Sequence, residues 1–141
     1  MVKRTAWNEY DLQKKSFQAI KLKEDDVVIG VETEVKNTTV LYVTRKGMVL
    51  NFEKSDVPQQ GRVSGGVKGM LIADNDEVMF ATQIGNKGDV VVVTEKCFAK
   101  RVSVKEIEIS ARYRKGVKII DLVGTNGQNV LFAGYFAKAG M

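Results

Sequence analysis

The chain repeats itself, and that limits its fold more than any other feature of the sequence. Val43-Thr44-Arg45-Lys46-Gly47-Met48-Val49 recurs 50 residues later as Val93-Thr94-Glu95-Lys96-Cys97-Phe98-Ala99. An acid followed by an apolar residue comes next in each unit, at Glu9-Tyr10, Asp56-Val57 and Glu106-Ile107. Ala19-Ile20-Lys21, Gly66-Val67-Lys68 and Gly116-Val117-Lys118 follow, then Asp26-Val27-Val28-Ile29, Glu77-Val78-Met79-Phe80 and Asn129-Val130-Leu131-Phe132. Four anchors in one order, spaced 47 to 52 residues apart, define units at about 1–47, 48–97 and 98–141. Such a period belongs to units that bury a core only by stacking on their neighbours.

Each unit reads as β. Its anchors are short runs rich in Val, Ile, Leu, Phe and Tyr, bounded by Gly, Asn and Asp. Leu41-Tyr42-Val43-Thr44 and Val91-Val92-Val93-Thr94 have the β-branched, apolar character of buried strands. Arg45-Lys46-Gly47 and Gly124-Thr125-Asn126-Gly127 read as turns, and Lys54-Ser55-Asp56 as a short helical turn. The expectation is one all-β, propeller-like domain over 1–141. Three units are too few to close a propeller ring, so an open arc or a piece of a larger ring is expected. The first unit lacks the leading strand typified by Leu41–Thr44, and the third supplies no further one. Sheet edges left open in this way could pair two copies as a homodimer.

Composition narrows the function. The 141 residues include no histidine and one cysteine, Cys97, which excludes Ser-His-Asp and Cys-His catalysis, a disulfide within the chain and a cysteine metal cluster. No cofactor is expected in this chain, and it is not expected to be an enzyme on its own. No apolar run approaches membrane-spanning length and no signal segment is evident, so a cytoplasmic setting is expected. The net charge of +5 is unevenly shared: +2 over 1–47, −2 over 48–97 and +5 over 98–141. An anionic partner is therefore expected, with the third unit as its principal surface.

The unit Val43–Val49, Gly65–Met70 and Asp76–Val78 resembles the repeat of the A subunits of bacterial type IIA topoisomerases, DNA gyrase and topoisomerase IV. The most specific stretch is Val57-Pro58-Gln59-Gln60-Gly61-Arg62-Val63-Ser64-Gly65-Gly66-Val67-Lys68-Gly69-Met70. Lys3-Arg4-Thr5 and Lys100-Arg101-Val102 resemble the basic strand of the family unit. The resemblance implies a β-pinwheel, a propeller variant whose blades exchange strands. It also implies duplex DNA as partner, bound and bent along a basic rim, without sequence specificity. The cleavage core would lie upstream on the same polypeptide. A B-type ATPase subunit would complete an enzyme that uses ATP and Mg elsewhere, in the cytoplasm at the nucleoid. The basic Gly-rich box of gyrase A subunits is not reproduced by Gln60–Gly66, which favours a topoisomerase IV-like parent. Tyr113 follows Arg112 as the family's cleaving tyrosine follows an arginine. However, Tyr113 lies inside a β repeat, so it reads as a blade residue.

Candidate DNA contacts are Lys3, Arg4 and Lys21, then Arg45, Lys46, Arg62 and Lys68, then Lys100, Arg101, Arg112, Arg114, Lys115 and Lys118, several of which recur at the same repeat phase, as Lys21, Lys68 and Lys118 do. Such side chains fit phosphates, which give affinity and position without sequence information. The alternative is a protein-interaction module binding an acidic partner. Trp7, Tyr42, Phe52, Phe80 and Phe132 are expected in the core. The acidic turns at 24–26 and 74–77 read as solvated turns, without the spacing of a calcium loop.

Overall fold

The computed structural model describes residues 1–137, and over them the regular structure is eight β-strands and three short 3-10 turns. The strands are β1 (Thr39–Thr44), β2 (Met48–Glu53), β3 (Val78–Ile84), β4 (Asp89–Thr94), β5 (Ala99–Ser103), β6 (Ile109–Ser110), β7 (Val117–Lys118) and β8 (Val130–Phe136). The helical turn expected near Lys54–Asp56 is a 3-10 helix, and Val104–Glu106 repeats it 50 residues later.

The two long hairpins are built alike. Gly47 sits at φ 86° and Cys97 at φ 64°, each bonded back to a threonine carbonyl, Gly47 N to Thr44 O at 3.0 Å and Cys97 N to Thr94 O at 2.9 Å. This is a tight turn closed by one left-handed residue, which matches the twist of the flanking strands. The fully buried hydroxyls of Thr44 and Thr94 accept the amide N–H groups of Met48 and Phe98 at 3.0 and 3.3 Å, so no polar atom is stranded at the turn. β3 then adds antiparallel to β1, and β8 to β4, with a bulge at the same phase, Val43/Thr44 and Val93/Thr94.

A second kind of pairing joins one unit to the next. β2 receives β6 in parallel, Asn51 opposite Ile109, and β7 antiparallel, Val49 opposite Val117. Near the N-terminus the same register is made by single bridges, Arg4 parallel to Gln59 and Val2 antiparallel to Val67. Val2 and Val67 exchange both backbone hydrogen bonds, at 2.7 and 2.9 Å. Val2–Arg4 and β2 are thus each covered by the loop-rich segment of the unit that follows. The sheets are β3-β1-β2-β6, with β7 also on β2, and β5-β4-β8.

One buried cluster mixes residues on either side of this junction. Leu41, Val43, Val49 and Ile84 pack with Val90, Val92, Val104, Ile107, Ile119, Ile120, Val130 and Ala133. A second joins Tyr42, Leu50, Phe52, Val57 and Met70, with Tyr42 and Phe52 edge to face at 5.4 Å. Burying a Val, Leu or Ile is worth about 1.5–3 kcal/mol, so a cluster drawn from both units stabilises their contact.

The first unit differs from expectation. Asp26–Ile29 forms no strand, and Val27, Val28 and Ile29 stay exposed at 70, 49 and 49%. Its counterparts β3 and β8 each lie against a long strand, β1 or β4, and no such neighbour lies along 26–29. Trp7 and Phe132, expected in the core, are exposed at 77 and 50%, whereas Tyr42 and Phe52 are buried as expected. Phe80 has the phase of Phe132 but packs against the cluster that the next unit completes. Burial of this strand face therefore depends on a following unit.

Gly116 (φ 77°) and Gly66 (φ 86°) are where covering segment and covered strand come closest. A Cβ there would lie 2.0 Å from Val49 O and 2.4 Å from Val2 O. Gly116→Ala should therefore cost at least about 2 kcal/mol, combining backbone strain with loss of the close approach, as read by urea denaturation. Burial pushes the Tyr42 phenol far above its ordinary value of 10.0, with the Arg112 cation acting in the opposite direction. Because the folded value is raised, this contribution is complete below pH about 10 and is lost as pH rises beyond it. Stability measured from pH 8 to 11 should fall more steeply in the native protein than in Tyr42→Phe.

Candidate nucleic-acid interface

The thirteen basic residues singled out from the sequence divide into three groups by what their side chains touch. The first group fastens one unit to the next. Lys3 Nζ donates to Ala19 O at 3.0 Å and Gly61 O at 3.2 Å, and also to Arg62 O. Arg4 Nε donates to Val57 O at 2.7 Å, and its guanidinium lies 3.7 Å from Glu34. Arg62 donates to Gln18 O and stacks 5.6 Å from the Phe17 ring centroid. Arg112, 50 residues further on, does the same work at the next junction, donating to Asp56 O at 2.9 Å and to Lys68 O. The Asp56 carboxylate also accepts the Arg112 amide N–H at 3.3 Å. These guanidinium and ammonium groups satisfy carbonyls that the irregular covering segments cannot place in a ladder.

The second group is engaged by neighbouring side chains, three of them carboxylates. Arg45 Nε is 2.6 Å from Glu77, Arg101 3.7 Å from Asp89 and Lys118 3.2 Å from Asp121. Lys46 Nζ donates to Asn129 Oδ1 at 3.0 Å and Gln128 O at 3.4 Å. Arg101 and Lys118 keep 68 and 60% of their side-chain surface exposed, so solvent screens these two pairs strongly.

The third group is exposed and makes no ion pair among the described residues: Lys21, Lys68, Lys100, Arg114 and Lys115. Three of them gather at the junction between the second and third units. The Lys68 ammonium lies 5.3 Å from the Tyr113 ring centroid, and Arg114 and Lys115 follow Tyr113 directly. Their backbone is pinned, since Tyr113 N donates to Gly69 O at 2.8 Å and Arg114 O accepts from Leu71 N at 3.0 Å. Tyr113, at φ 61°, turns the chain so that Arg112 folds inward while Arg114 and Lys115 face solvent. A shallow depression of about 270 Å³ beside them is lined by Met1, Lys68, Gly69, Met70, Leu71, Ile72 and Tyr113.

Sequence reading did not identify Asp56, Phe17 and Tyr113 as partners of the basic residues. The only signal was their spacing from Arg112, Arg62 and Lys68, which acquires meaning only once the covering register is known. No helix is long and apolar enough to cross a membrane.

A β-repeat domain whose units exchange strand partners, with unpaired cations gathered at a junction, belongs among propeller-like proteins. The family model of the DNA gyrase C-terminal domain, β-propeller, matches residues 1–33, 38–84 and 88–125, and the chain belongs to that family. It is 31% identical over 128 residues to the A subunit of DNA gyrase from Buchnera aphidicola, covering 90% of this chain and 15% of that protein. It is 30% identical over 136 residues to the A subunit of DNA topoisomerase 4 from Streptococcus pneumoniae, covering 96% and 16%. The solved C-terminal domain of DNA topoisomerase IV superposes with a TM-score of 0.90 at 29% identity, over 96% of this chain and 43% of that one. The chain thus spans about 15% of the length of the curated relatives it matches.

The first and third groups separate in stability. Arg112→Ala should lower the free energy of unfolding by about 1–3 kcal/mol, because it leaves carbonyls at the junction without donors, whereas Lys115→Ala should change it by less than about 0.5 kcal/mol. Denaturant titration of the two variants checks this.

Proposed function

We propose that residues 1–141 act as one module that binds duplex DNA without sequence preference and bends it, as the C-terminal domain of a type IIA topoisomerase A subunit. The observation that carries this reading is the cluster of Lys68, Arg114 and Lys115, exposed and free of ion pairs at a junction whose backbone is held rigid. Preorganised cations of this kind release counterions from the DNA backbone at little cost in their own ordering. Lys100 on β5 and Lys21 at the preceding junction extend the set along the successive units. Arg101 and Lys118 can exchange their screened acidic partners for phosphate. Lys3, Arg4, Arg62 and Arg112 contribute by holding the units in the register that spaces these contacts.

DNA that follows cations on successive units must bend. Smooth bending over a 20–30 base-pair site costs on the order of 1–6 kcal/mol, offset by the contacts that the bend brings within reach. In the parent enzyme such a domain would present bent DNA to a cleavage core on the same polypeptide, with a B-type subunit supplying ATP-driven strand passage. A cytoplasmic, nucleoid-associated setting follows from that role. The lack of the basic Gly-rich box in Gln60–Gly66 favours a topoisomerase IV-like parent.

A salt series of binding to a 40 base-pair duplex tests this reading. Affinity should fall by about 10³–10⁵ between 50 and 200 mM salt if 6–10 phosphates are engaged, and unrelated duplexes should compete equally. Lys68→Ala/Arg114→Ala/Lys115→Ala should fold normally and flatten the log–log slope by about 0.9 for each phosphate no longer neutralised. No binding at low salt, or a slope unchanged in this variant, would count against it and favour a protein partner.

A further inference from the structure

Two side chains at one repeat phase close the linkers that lead into the two hairpins. Gln83 lies opposite Val40 in the β3–β1 pair, and Tyr135 lies opposite Val90 in the β8–β4 pair. Val90 stands 50 residues after Val40, so the two positions are equivalent. The linkers are residues 34–38, before β1, and residues 85–88, before β4. Each turns on one left-handed residue, Asn37 at φ 59° and Gly88 at φ 107°. Neither contains a strand or a helix, so their peptide groups need partners from elsewhere.

One side chain supplies both kinds of partner at each linker. The Tyr135 hydroxyl accepts the Gly85 N–H at 3.1 Å and donates to Lys87 O at 2.7 Å. The Gln83 amide does the same with two atoms: Oε1 accepts the Val35 N–H at 2.8 Å, and Nε2 donates to Thr33 O at 2.8 Å. A phenol and a carboxamide differ in shape but share the capacity to accept and donate at once. Glu32, at the corresponding place in the first unit, ends in a carboxylate that only accepts. It takes the Thr82 hydroxyl at 2.7 Å and the Gln83 N–H at 3.1 Å instead. The Tyr135 ring packs against the buried cluster that spans the two sheets, so its hydroxyl reaches the linker from a fixed base.

We propose that Gln83 and Tyr135 are positioning residues: each holds the linker entering its own sheet in one turn, and Tyr135 thereby fixes the angle between the β3-β1-β2 sheet and the β5-β4-β8 sheet. Residues 85–88 are the direct covalent connection between β3 and β4, so any rotation of one sheet against the other passes through their backbone torsions. Without the hydroxyl, the Gly85 N–H and the Lys87 carbonyl turn to water and those torsions are released. The consequence for DNA rests on the function proposed above. Arg114 and Lys115 lie between the segments that pair with β2 of one sheet, and Lys100 lies on β5 of the other. The angle between the sheets therefore sets the curvature of the path that joins these cations.

Tyr135→Phe removes the hydroxyl and keeps the ring. Hydrogen exchange of the Gly85 amide should accelerate by about 2–10-fold, the effect of losing one ordinary hydrogen bond, and Gln83→Met should do the same at the Val35 amide. Spin labels on the native Cys97, which is exposed, and on Ser55→Cys read the separation of the two sheets. One narrow distance is expected with Tyr135 in place, and a broader or displaced one in Tyr135→Phe. A lower denaturation midpoint with an unchanged distance would make the hydroxyl a stabilising contact only and would overturn the proposal. Unchanged exchange at Gly85 would do so as well. Energy transfer between dyes at the two ends of a bound duplex reads the consequence for DNA. Tyr135→Phe should bend the duplex less, or over a wider range of angles, with the salt dependence of the native protein. An equal bend from sheets whose separation has changed would overturn the step from sheet angle to DNA path. Absence of duplex binding counts against the DNA reading alone, and the label distances still decide the positioning role.

Discussion

The structure depends on backbone pairing between a strand of one unit and the irregular segment of the next. Neither hairpin, β1–β2 or β4–β5, can bury both of its sides alone, because a lone hairpin is marginal in water. The covering segment supplies the missing neighbour at Asn51/Ile109 and Val49/Val117. The β6 and β7 contacts are only two residues long, so ladder hydrogen bonds alone are a weak fastening. Side-chain donors supplement them: Arg112 and Arg62 reach carbonyls 44 residues away, and Lys3 reaches Gly61 and Arg62. The close approach also requires glycine at two positions whose equivalent in the first unit is alanine.

This fastening explains why the basic character of the chain has two meanings. Four of the recurring cations are ties between units, held against carbonyls in half-buried surroundings. Others, one or two positions away along the same segments, face solvent. Arg112 and Arg114 are separated by a single residue, and the left-handed backbone of Tyr113 sends them to opposite sides. The ties fix the spacing of the free cations, so fold stability and the placement of exposed positive charge are coupled through neighbouring residues.

Much of the architecture was legible in advance. The period near 50, the hairpin turn at Arg45–Gly47 and the helical turn at Lys54–Asp56 follow from local chemistry. The β character of β1 and β4 follows from runs of β-branched residues. The failure at Asp26–Ile29 is instructive, because its composition suits a strand as well as that of Val78–Phe80 does. Strand formation depends on a neighbour to receive its hydrogen bonds, which composition does not report. Trp7 and Phe132 were misjudged for the same reason, since apolarity signals a capacity for burial and not a cover.

The sequence by itself determined the repeat, its β character, the absence of histidine chemistry and the phase at which positive charge recurs. These are local or periodic properties, written in residue type and spacing. Tertiary structure alone decided which cations are engaged and which are free, because a lysine or arginine reads the same whether it meets a carbonyl, a carboxylate or water. It also decided that Gly66 and Gly116 are points of closest approach, whereas at sequence level turn geometry explained them equally well. That distinction rests on a carbonyl oxygen more than a whole repeat away along the chain, and only the folded register brings the two together.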